Sequence, residues 1–399
     1  MAEGGRVRQP DGTRSRAVRL IALAGAMLLS ACATVVPRTI VQAPPPPVER
    51  PQEPDRVDAG IPRDTQRNRV ALLVPLSGGN AGVGQSIANA TQLALLDTGT
   101  TQVRVTSYDT ATGAAVAARR AIDEGAQLIL GPLLAEDARA VGPIARAAGV
   151  PVLSFSNDSG VAGQGTYVMG YTPVQSVERV VAFARSRGVT SFAGLVPNGL
   201  YGERVSTAFL RAVEAGGGQV MSLQTYGRTP GSIAGAAARV AAKAPVGAVL
   251  VADGGAVAAA AGPAAKRGSP GARMLGTELW NTEAGIAARP QLAGAWFASV
   301  SDGLYRQFAV KYRARFGTGP YRLASLGYDA VLLTVRIARD WRVGDRFPES
   351  RLRDPDGFAG LDGAFRFGGS GVAERALEVQ EIRGGQAVVV SPAPARFGR

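Results

Sequence analysis

Carboxylates, hydroxyls and arginines are the side chains that could do chemistry here, because the sequence has no histidine and one cysteine, Cys32. Histidine titrates near neutral pH and is the commonest metal ligand. Its absence excludes Ser-His-Asp and Cys-His catalysis and nearly all zinc sites. A mechanism that uses carboxylates alone stays open, with Asp253 and Glu278 as the candidate pair. We otherwise predict a protein that is not an enzyme and holds no metal or cofactor.

Several polar or small residues directly follow short apolar runs that are typical of buried strands. In open parallel sheets, ligands lie beyond the carboxyl ends of the strands, beside the helix N-termini. We therefore predict a ligand cleft between two lobes, although an ordinary turn or helix-cap role remains the alternative for each residue taken alone. The predicted ligand-binding residues are Ser77, Gly78, Ser154, Ser156, Asn157, Tyr201, Asp253 and Glu278.

The segment from Gly79 to Ser86 matches a phosphate-binding loop, except that Gln85 stands at the lysine position. That lysine supplies the charge on the β- and γ-phosphates, so a nucleotide site is not expected. A helix N-terminus beside glycines could still hold a carboxylate through its backbone N–H groups. The alternative is that the glycines allow a strand and a helix to pack tightly.

The elements that must position these residues alternate regularly between apolar runs and helical segments from Asn68 onward. Short apolar runs between helices of ten or more residues indicate parallel strands that are covered on both faces. Two consecutive series of about 100 residues predict an α/β fold with two doubly wound parallel-sheet lobes. The formal charge of +13 is spread along the chain, so we predict no nucleic-acid partner.

The N-terminal residues indicate export. A basic start and an apolar run from Leu20 to Leu29 predict a signal peptide at 1–31. The sequence Leu29-Ser30-Ala31-Cys32 resembles the lipobox of bacterial lipoproteins, which implies acylation of Cys32 and anchoring to a membrane. Ala33 favours the outer membrane by the same resemblance. Residues 32–68 carry consecutive prolines at 44–47 and predict a disordered, Pro-rich tether that could extend roughly 110 Å.

The body carries a series of short motifs in a fixed order, namely Val70–Gly78, Gly131–Pro132, Gly149–Ser154, Tyr201–Gly202 and Leu326–Ala330. Taken in this order, they resemble the type I periplasmic binding proteins of the leucine/isoleucine/valine-binding class. In that family two lobes are joined by three crossovers, and the chain returns to the first lobe before it ends in the second. The resemblance implies lobe 1 at 69–172 and 299–338, lobe 2 at 173–298 and 339–391, and a tail at 392–399.

A second set of motifs is Val74–Gly78, Tyr108–Thr110, Gly131–Leu134, Gly202–Val205, Gly327–Ala330, Gly363–Phe365 and Arg375–Leu377. These motifs look closer to the binding-protein-like domain of LpoA-type lipoproteins, which activate penicillin-binding proteins. This resemblance implies an outer-membrane lipoprotein that faces the periplasm and promotes peptidoglycan synthesis by contact with a synthase. Those activators carry a helical-repeat domain before this one, whereas here a Pro-rich tether precedes Arg69. The alternative is the solute-binding protein of an ABC importer, with an amino-acid-like ligand in the cleft.

Overall fold

The structure, a computed structural model, describes residues 66–243, 245–283, 285–394 and 397. All of these residues belong to one compact unit, Gly60–Arg399. The predicted signal peptide, the lipidation site Cys32 and the tether up to residue 65 lie outside the described residues. Within the described ranges, no helix is both long enough and apolar enough to cross a membrane.

The first sheet forms from apolar runs that are covered on both faces. Val70, Leu72 and Val74 lie in one core cluster, while Ala71 and Leu73 lie in another on the opposite face. The strands are β1 (Asn68–Val74), β2 (Val103–Asp109), β3 (Leu128–Leu130), β4 (Val152–Ser154) and β5 (Thr166–Val168). They are all parallel, in the order β2-β1-β3-β4-β5. The helices between them are α1 (Ala81–Thr98), α2 (Ala114–Asp123) and α3 (Ala135–Ala148).

The second sheet repeats this arrangement and extends it. Its first five strands are parallel neighbours, because a helix follows each of the first three and carries the chain across the sheet. The strands are β6 (Ser191–Pro197), β7 (Gln219–Tyr226), β8 (Ala248–Val251), β9 (Arg273–Gly276) and β10 (Trp296–Ser299). The helices are α4 (Pro173–Ser186), α5 (Leu200–Ala215), α6 (Pro230–Ala241) and α7 (Gly255–Ala265).

The chain then returns to the first sheet. Helices α8 (Gly303–Phe316) and α9 (Ala324–Ala338) follow, and α9 packs closely on α1. Gly327 allows this approach, because a Cβ there would lie 2.7 Å from the Ile87 carbonyl oxygen. A small antiparallel sheet comes next, with strands β11 (Phe358–Gly360), β12 (Gly363–Phe367) and β13 (Ala373–Arg375). It is joined to β5 through a parallel bridge between Val168 and Val372.

The last two strands, β14 (Glu378–Arg383) and β15 (Gln386–Ser391), complete the second sheet in antiparallel orientation. Its order is β15-β14-β10-β9-β8-β6-β7. We call the first sheet with α1–α3, α8, α9 and β11–β13 the first lobe, and the second sheet with α4–α7 the second lobe. The predicted α/β fold of two parallel-sheet lobes is confirmed.

Three crossovers connect the lobes, at residues 169–172, 300–302 and 376–377. We assigned residues 339–391 to the second lobe from the sequence. The structure places 378–391 in the second sheet, whereas 358–375 form the small sheet bridged to β5. The physical reason is that an alternating pattern specifies a strand but does not specify which of two sheets it joins.

Candidate functional site

Ser77 and Gly78, the two predicted ligand residues that follow β1, lie in the turn between β1 and α1. Ser77 and Gly78 are both exposed, and the Ser77 hydroxyl donates to Asp109 Oδ2 at 2.6 Å. The other oxygen of Asp109 accepts from the backbone N–H of Leu76 at 2.7 Å. The carboxylate of Asp109 therefore organises the turn that leads from β1 into α1, and the Ser77 hydroxyl is committed to that carboxylate.

Ser154 ends β4 and Ser156 lies in the loop that follows, and the hydroxyl groups of both residues stabilise this loop. The Ser154 hydroxyl donates to the Pro132 carbonyl at 3.1 Å and accepts from the Ser156 backbone N–H at 3.2 Å. The Ser156 hydroxyl accepts from the backbone N–H of Asp158 at 3.1 Å. Both serines are buried, whereas Asn157 is exposed. The two hydroxyls thus satisfy backbone groups that this loop would otherwise leave unpaired.

Tyr201 and Glu278 come from separate segments of the chain, and the structure joins their side chains by a hydrogen bond. The Tyr201 hydroxyl donates to Glu278 Oε1 at 3.0 Å and lies 3.1 Å from the Thr277 hydroxyl. The Ser176 hydroxyl, on α4, donates to the other carboxylate oxygen. Burial raises the pKa of Glu278 above its ordinary value. Burial and the neighbouring Glu278 raise the pKa of Tyr201 well above its ordinary value.

Asp253, which follows β8, is also held by protein partners. Tyr226 donates its hydroxyl to Asp253 Oδ2 at 3.1 Å, and the Gly254 backbone N–H donates to Oδ1 at 2.8 Å. The Arg228 guanidinium lies 4.0 Å from Oδ1. No hydrogen bond joins Asp253 to Glu278 in the described residues, so each carboxylate has its own set of partners.

A small cavity of about 20 Å³ lies where the crossovers meet. All three crossover regions contribute to its wall, and we call it the crossover cavity. Of the eight predicted ligand residues, Glu278 is the one that lines it. Its lining residues are Tyr171, Thr172, Gln175, Ser176, Glu278, Asn281, Thr282, Ser299, Val300, Arg322, Arg375 and Leu377.

A buried charge cluster lies beside this cavity, and the sequence reasoning missed it. Arg322 Nη1 donates to Asp362 Oδ1 at 2.6 Å, and the Tyr171 hydroxyl donates to Asp362 Oδ2. Asp329 accepts from the Leu361 backbone N–H at 2.6 Å. Burial and the nearby Asp362 raise the pKa of Asp329 to about 7. Burial acts to raise the pKa of Asp362, but Arg322 and Arg375 hold it below the ordinary value.

A direct ion pair also crosses from one lobe to the other. Asp158, in the loop after β4, pairs with Arg139 of its own lobe and with Arg204 of α5 in the second lobe. Arg204 Nη1 also donates to the Ser159 hydroxyl at 3.0 Å. The Asp158 side chain is 6% exposed, so the interlobe pair is largely shielded from solvent. In the part of the chain that the structure describes, no cluster of three or more acidic, Cys or His residues could hold a metal ion.

Comparison with known proteins relates this geometry to binding proteins. A family model described as periplasmic binding protein matches residues 68–386. One similar solved structure is a Rhodospirillum rubrum protein assigned to a branched-chain amino acid ABC transporter, with a TM-score of 0.71 and 22% identity. That similarity covers 81% of this chain and 100% of the other.

Full-length LpoA from Haemophilus influenzae is similar as well, with a TM-score of 0.61 and 21% identity over 82% of this chain. The match spans 59% of the LpoA chain. An uncharacterised protein of Rickettsia prowazekii, RP748, is 25% identical over 146 residues, which is 36% of this chain and 39% of that protein. At these identities, the structural similarities show the fold.

Proposed function

The chain belongs to the periplasmic binding protein family, and on this premise we propose that it activates a penicillin-binding protein without being an enzyme itself. Its body would act as a docking surface that promotes peptidoglycan synthesis. The family implies that the protein lies outside the cytoplasm. Peptidoglycan is also assembled outside the cytoplasm. The similarity to LpoA over 82% of this chain supports the same role.

The observation that carries this proposal is that the predicted ligand residues have hydrogen-bond partners within the protein itself. Ser77, Ser154, Ser156 and Asp253 all make hydrogen bonds within the protein. The crossover cavity has a volume of about 20 Å³. Sites for small organic ligands usually measure roughly 300–1,000 Å³. Two pockets of about 620 and 410 Å³ reach this size, but none of the eight predicted ligand residues lines either of them. A body whose strand-end polar groups are already paired is better suited to binding a protein through its surface than to enclosing an amino acid.

The N-terminal sequence supports a place at the outer membrane. We propose that Cys32 is acylated and that residues 33–68 form the tether between the membrane and the body. A tether of this length could extend roughly 110 Å, which would let the body reach a synthase in the inner membrane. Replacing Cys32 by Ala should move the protein from the membrane fraction to the soluble periplasmic fraction.

The test is reconstituted glycan polymerisation by purified bifunctional penicillin-binding proteins from the organism of origin. Adding the full-length chain should raise the polymerisation rate of at least one synthase. The Cys32→Ala variant should raise it equally in detergent solution, because the contact is made by the body. The proposal fails if the chain neither binds nor stimulates any bifunctional synthase of its own source.

A second candidate function is solute binding for an ABC importer of amino acids. The observation that favours it is the TM-score of 0.71 with the Rhodospirillum rubrum protein, which exceeds the value for LpoA. A ligand that binds only the folded state stabilises it by about 2.7 kcal/mol at a hundredfold excess over its Kd. A rise in Tm with one class of amino acid, and with no peptidoglycan fragment, would replace the activator proposal.

A further inference from the structure

A loop after α9 crosses the first sheet at the edge where its strands begin. This loop spans residues 339–346, and we call it the basal loop. It starts at the end of α9, on one face of the sheet. In its middle, the Trp341 carbonyl accepts a hydrogen bond of 2.9 Å from Asn68 Nδ2, where β1 starts. It ends beside α3 on the opposite face, because a Cβ on Gly149 would lie 3.0 Å from Arg346 Nη1.

Buried contacts hold the basal loop in place. Trp341 is buried, and its ring packs edge-on against Phe347 with 5.1 Å between the ring centroids. Its Nε1–H donates to the Asp345 carbonyl at 3.0 Å, and the Asp345 backbone N–H donates to the Arg342 carbonyl at 3.1 Å. These bonds close a turn that leaves Val343 45% exposed. The loop therefore presents Val343 and the charged side chains beside it on the surface.

The charge of this surface is strongly positive. Four arginines are exposed here, and no ion pair involves any of them in the part of the chain that the structure describes. They are Arg339, Arg342, Arg346 and, in the last turn of α3, Arg146. The acidic residues of the loop are Asp340, which pairs with Arg351, and Asp345. Four guanidinium groups thus face one remaining carboxylate.

Helix ends explain only part of this arrangement. Cations stabilise the C-terminal ends of helices, and Arg146 and Arg339 lie at the ends of α3 and α9. Arg342 lies outside both helices, and it adjoins the exposed Val343. A phospholipid surface suits both of these residues. Its phosphates accept hydrogen bonds from guanidinium groups, and the boundary below its headgroups takes up apolar side chains.

We propose that the basal loop docks the body on a membrane surface that contains anionic phospholipids. Arg146, Arg342 and Arg346 bind the lipid phosphates, and Val343 enters the boundary between headgroups and acyl chains. The position of the loop favours this partner over an acidic protein, because Asn68, which bonds to the loop, is where the proposed tether joins the body. The tether leads from this point to the proposed anchor, so the surface is that of the anchoring membrane.

Docking through the basal loop gives the body an orientation. The loop lies where the strands of the first sheet start, whereas the Asp158–Arg204 pair follows the end of β4. The strand ends of the first lobe therefore face away from the membrane. This inference rests on the proposed anchoring for the choice of membrane, and it keeps the body beside that membrane while no synthase is bound.

The test is binding of the full chain to lipid vesicles. It uses the Cys32→Ala variant from the periplasmic fraction, so that no acyl chain contributes and the result depends neither on acylation nor on a synthase. The protein should sediment with vesicles that contain phosphatidylglycerol and not with vesicles of phosphatidylcholine alone. Each arginine near an anionic surface contributes about fivefold to binding, so Arg342→Gln combined with Arg346→Gln should weaken it about 25-fold.

Arg211→Gln combined with Arg267→Gln is the matched control for charge. Both residues are exposed in the second lobe, and their replacement removes the same two positive charges from the protein. Solvent and salt screen charges that lie far from the docked surface. This double variant should therefore weaken binding by less than about twofold.

A second measurement locates the contact on the body. Cys32 is the only cysteine of the chain, so Val343→Cys in the Cys32→Ala background takes one environment-sensitive fluorophore. Its emission should rise and shift to shorter wavelength on vesicles that contain phosphatidylglycerol. The same label at Met221→Cys, in the second lobe and also 45% exposed, should not respond.

The proposal is overturned if the protein binds both kinds of vesicle equally or neither kind, or if the two double variants lose the same affinity. It is also overturned if the label at position 343 does not respond to the vesicles. Failure to activate a synthase, with these results intact, would overturn the proposed function and leave the docking surface in place.

Discussion

Asp362 shows how a single buried carboxylate can determine the stability of its surroundings. It is fully buried, pairs with Arg322 at 2.6 Å and accepts a hydrogen bond from the hydroxyl of Tyr171. Removing one partner of a buried ion pair leaves the other charge without compensation, which costs about 3–5 kcal/mol. Pairs at the surface contribute roughly 0–1 kcal/mol, because solvent screens them.

We therefore expect Asp362→Asn to lower the free energy of unfolding by about 3–5 kcal/mol, measured by urea denaturation. Asp354→Asn is the control, because Asp354 pairs with Arg336 at 3.1 Å in a more exposed position. It should lose about 1 kcal/mol or less. Equal losses in the two variants would mean that Asp302, 3.5 Å from Arg322, already compensates the buried charge.

The pH dependence of stability should report on Asp329. Its pKa of about 7 in the folded protein lies above the value of about 3.9 expected in the unfolded chain. Between these values the folded state binds more protons than the unfolded state, so stability falls as the pH rises from about 4 to about 7. The pKa of Asp362 is lowered, so that group acts below this window.

The Asp329→Asn variant isolates this effect, because an amide does not titrate. The free energies of unfolding of wild type and variant should be compared by urea denaturation at pH 5 and pH 8. Stability of the wild type relative to the variant should decrease at pH 8. Glu278 titrates in the same direction, since burial raises its pKa too, but it is common to both proteins. A difference that stays constant with pH would contradict the raised pKa of Asp329.

At the level of residues, the sequence predicted which polar side chains follow the strand ends, and their binding of a ligand stays a prediction. Tyr201 and Glu278 were both expected at the ligand cleft, and they share a hydrogen bond of 3.0 Å. The sequence did not reveal the partners of these groups, because a hydroxyl can bond equally to a ligand or to its own backbone. Arg322 and Arg375 were missed, since their burial depends on residues far away in the chain, such as Asp362 and Tyr171.

At the level of elements, both lobes pack the helix that follows their first strand against the end of that strand in the same way. A Cβ on Gly84 of α1 would lie 1.8 Å from the Pro75 carbonyl oxygen. A Cβ on Gly202 of α5 would lie 1.7 Å from the Pro197 carbonyl oxygen. The glycine in the phosphate-loop-like segment thus serves the close approach of strand and helix, which was the alternative explanation for that segment.

Gly84→Ala should therefore destabilise the protein by about 1–3 kcal/mol through overpacking, measured by urea denaturation. Gly79→Ala is the matched control in the same segment. Gly79 is exposed, and a Cβ there would meet nothing within 4 Å, so its effect should stay within about 0.5 kcal/mol. Similar losses in both variants would point to a general intolerance of this loop and not to the contact with Pro75.

The strands that the sequence did not reveal are short. Thr166–Val168 and Phe358–Gly360 have three residues each, and Trp296–Ser299 has four. Such lengths are too brief to show a periodicity. The alternation of longer helices and strands could be predicted, because their apolar positions recur at regular spacing along the chain. A strand pairing between residues far apart in the chain, such as the bridge between Val168 and Val372, leaves no pattern in the local sequence.

At the scale of the whole molecule, the family and the two-lobe fold were predicted from the order of short motifs, and both are confirmed. What the order of motifs could not give is how firmly the lobes are held together. Besides the three crossovers, Asp158 in the first lobe pairs with Arg204 in the second, and Arg204 also bonds to Ser159. The Asp158–Arg204 pair is thus the charged contact between the lobes, and it adds to two hydrogen bonds between Gln175 of α4 and β13.

Arg204→Met should loosen the two lobes, because methionine keeps much of the length of the side chain but removes both interlobe contacts. The distance between spin labels at Leu96→Cys and Met221→Cys, both exposed, can be measured by pulsed electron spin resonance in a Cys32→Ala background. The distance distribution should broaden or shift to longer values. Arg211→Met, on the exposed face of the same helix α5, should leave the distribution unchanged. An identical distribution in Arg204→Met and wild type would mean that the crossovers and the Gln175 hydrogen bonds to β13 fix the lobes without this pair. The charge of Asp158 would then be compensated by Arg139.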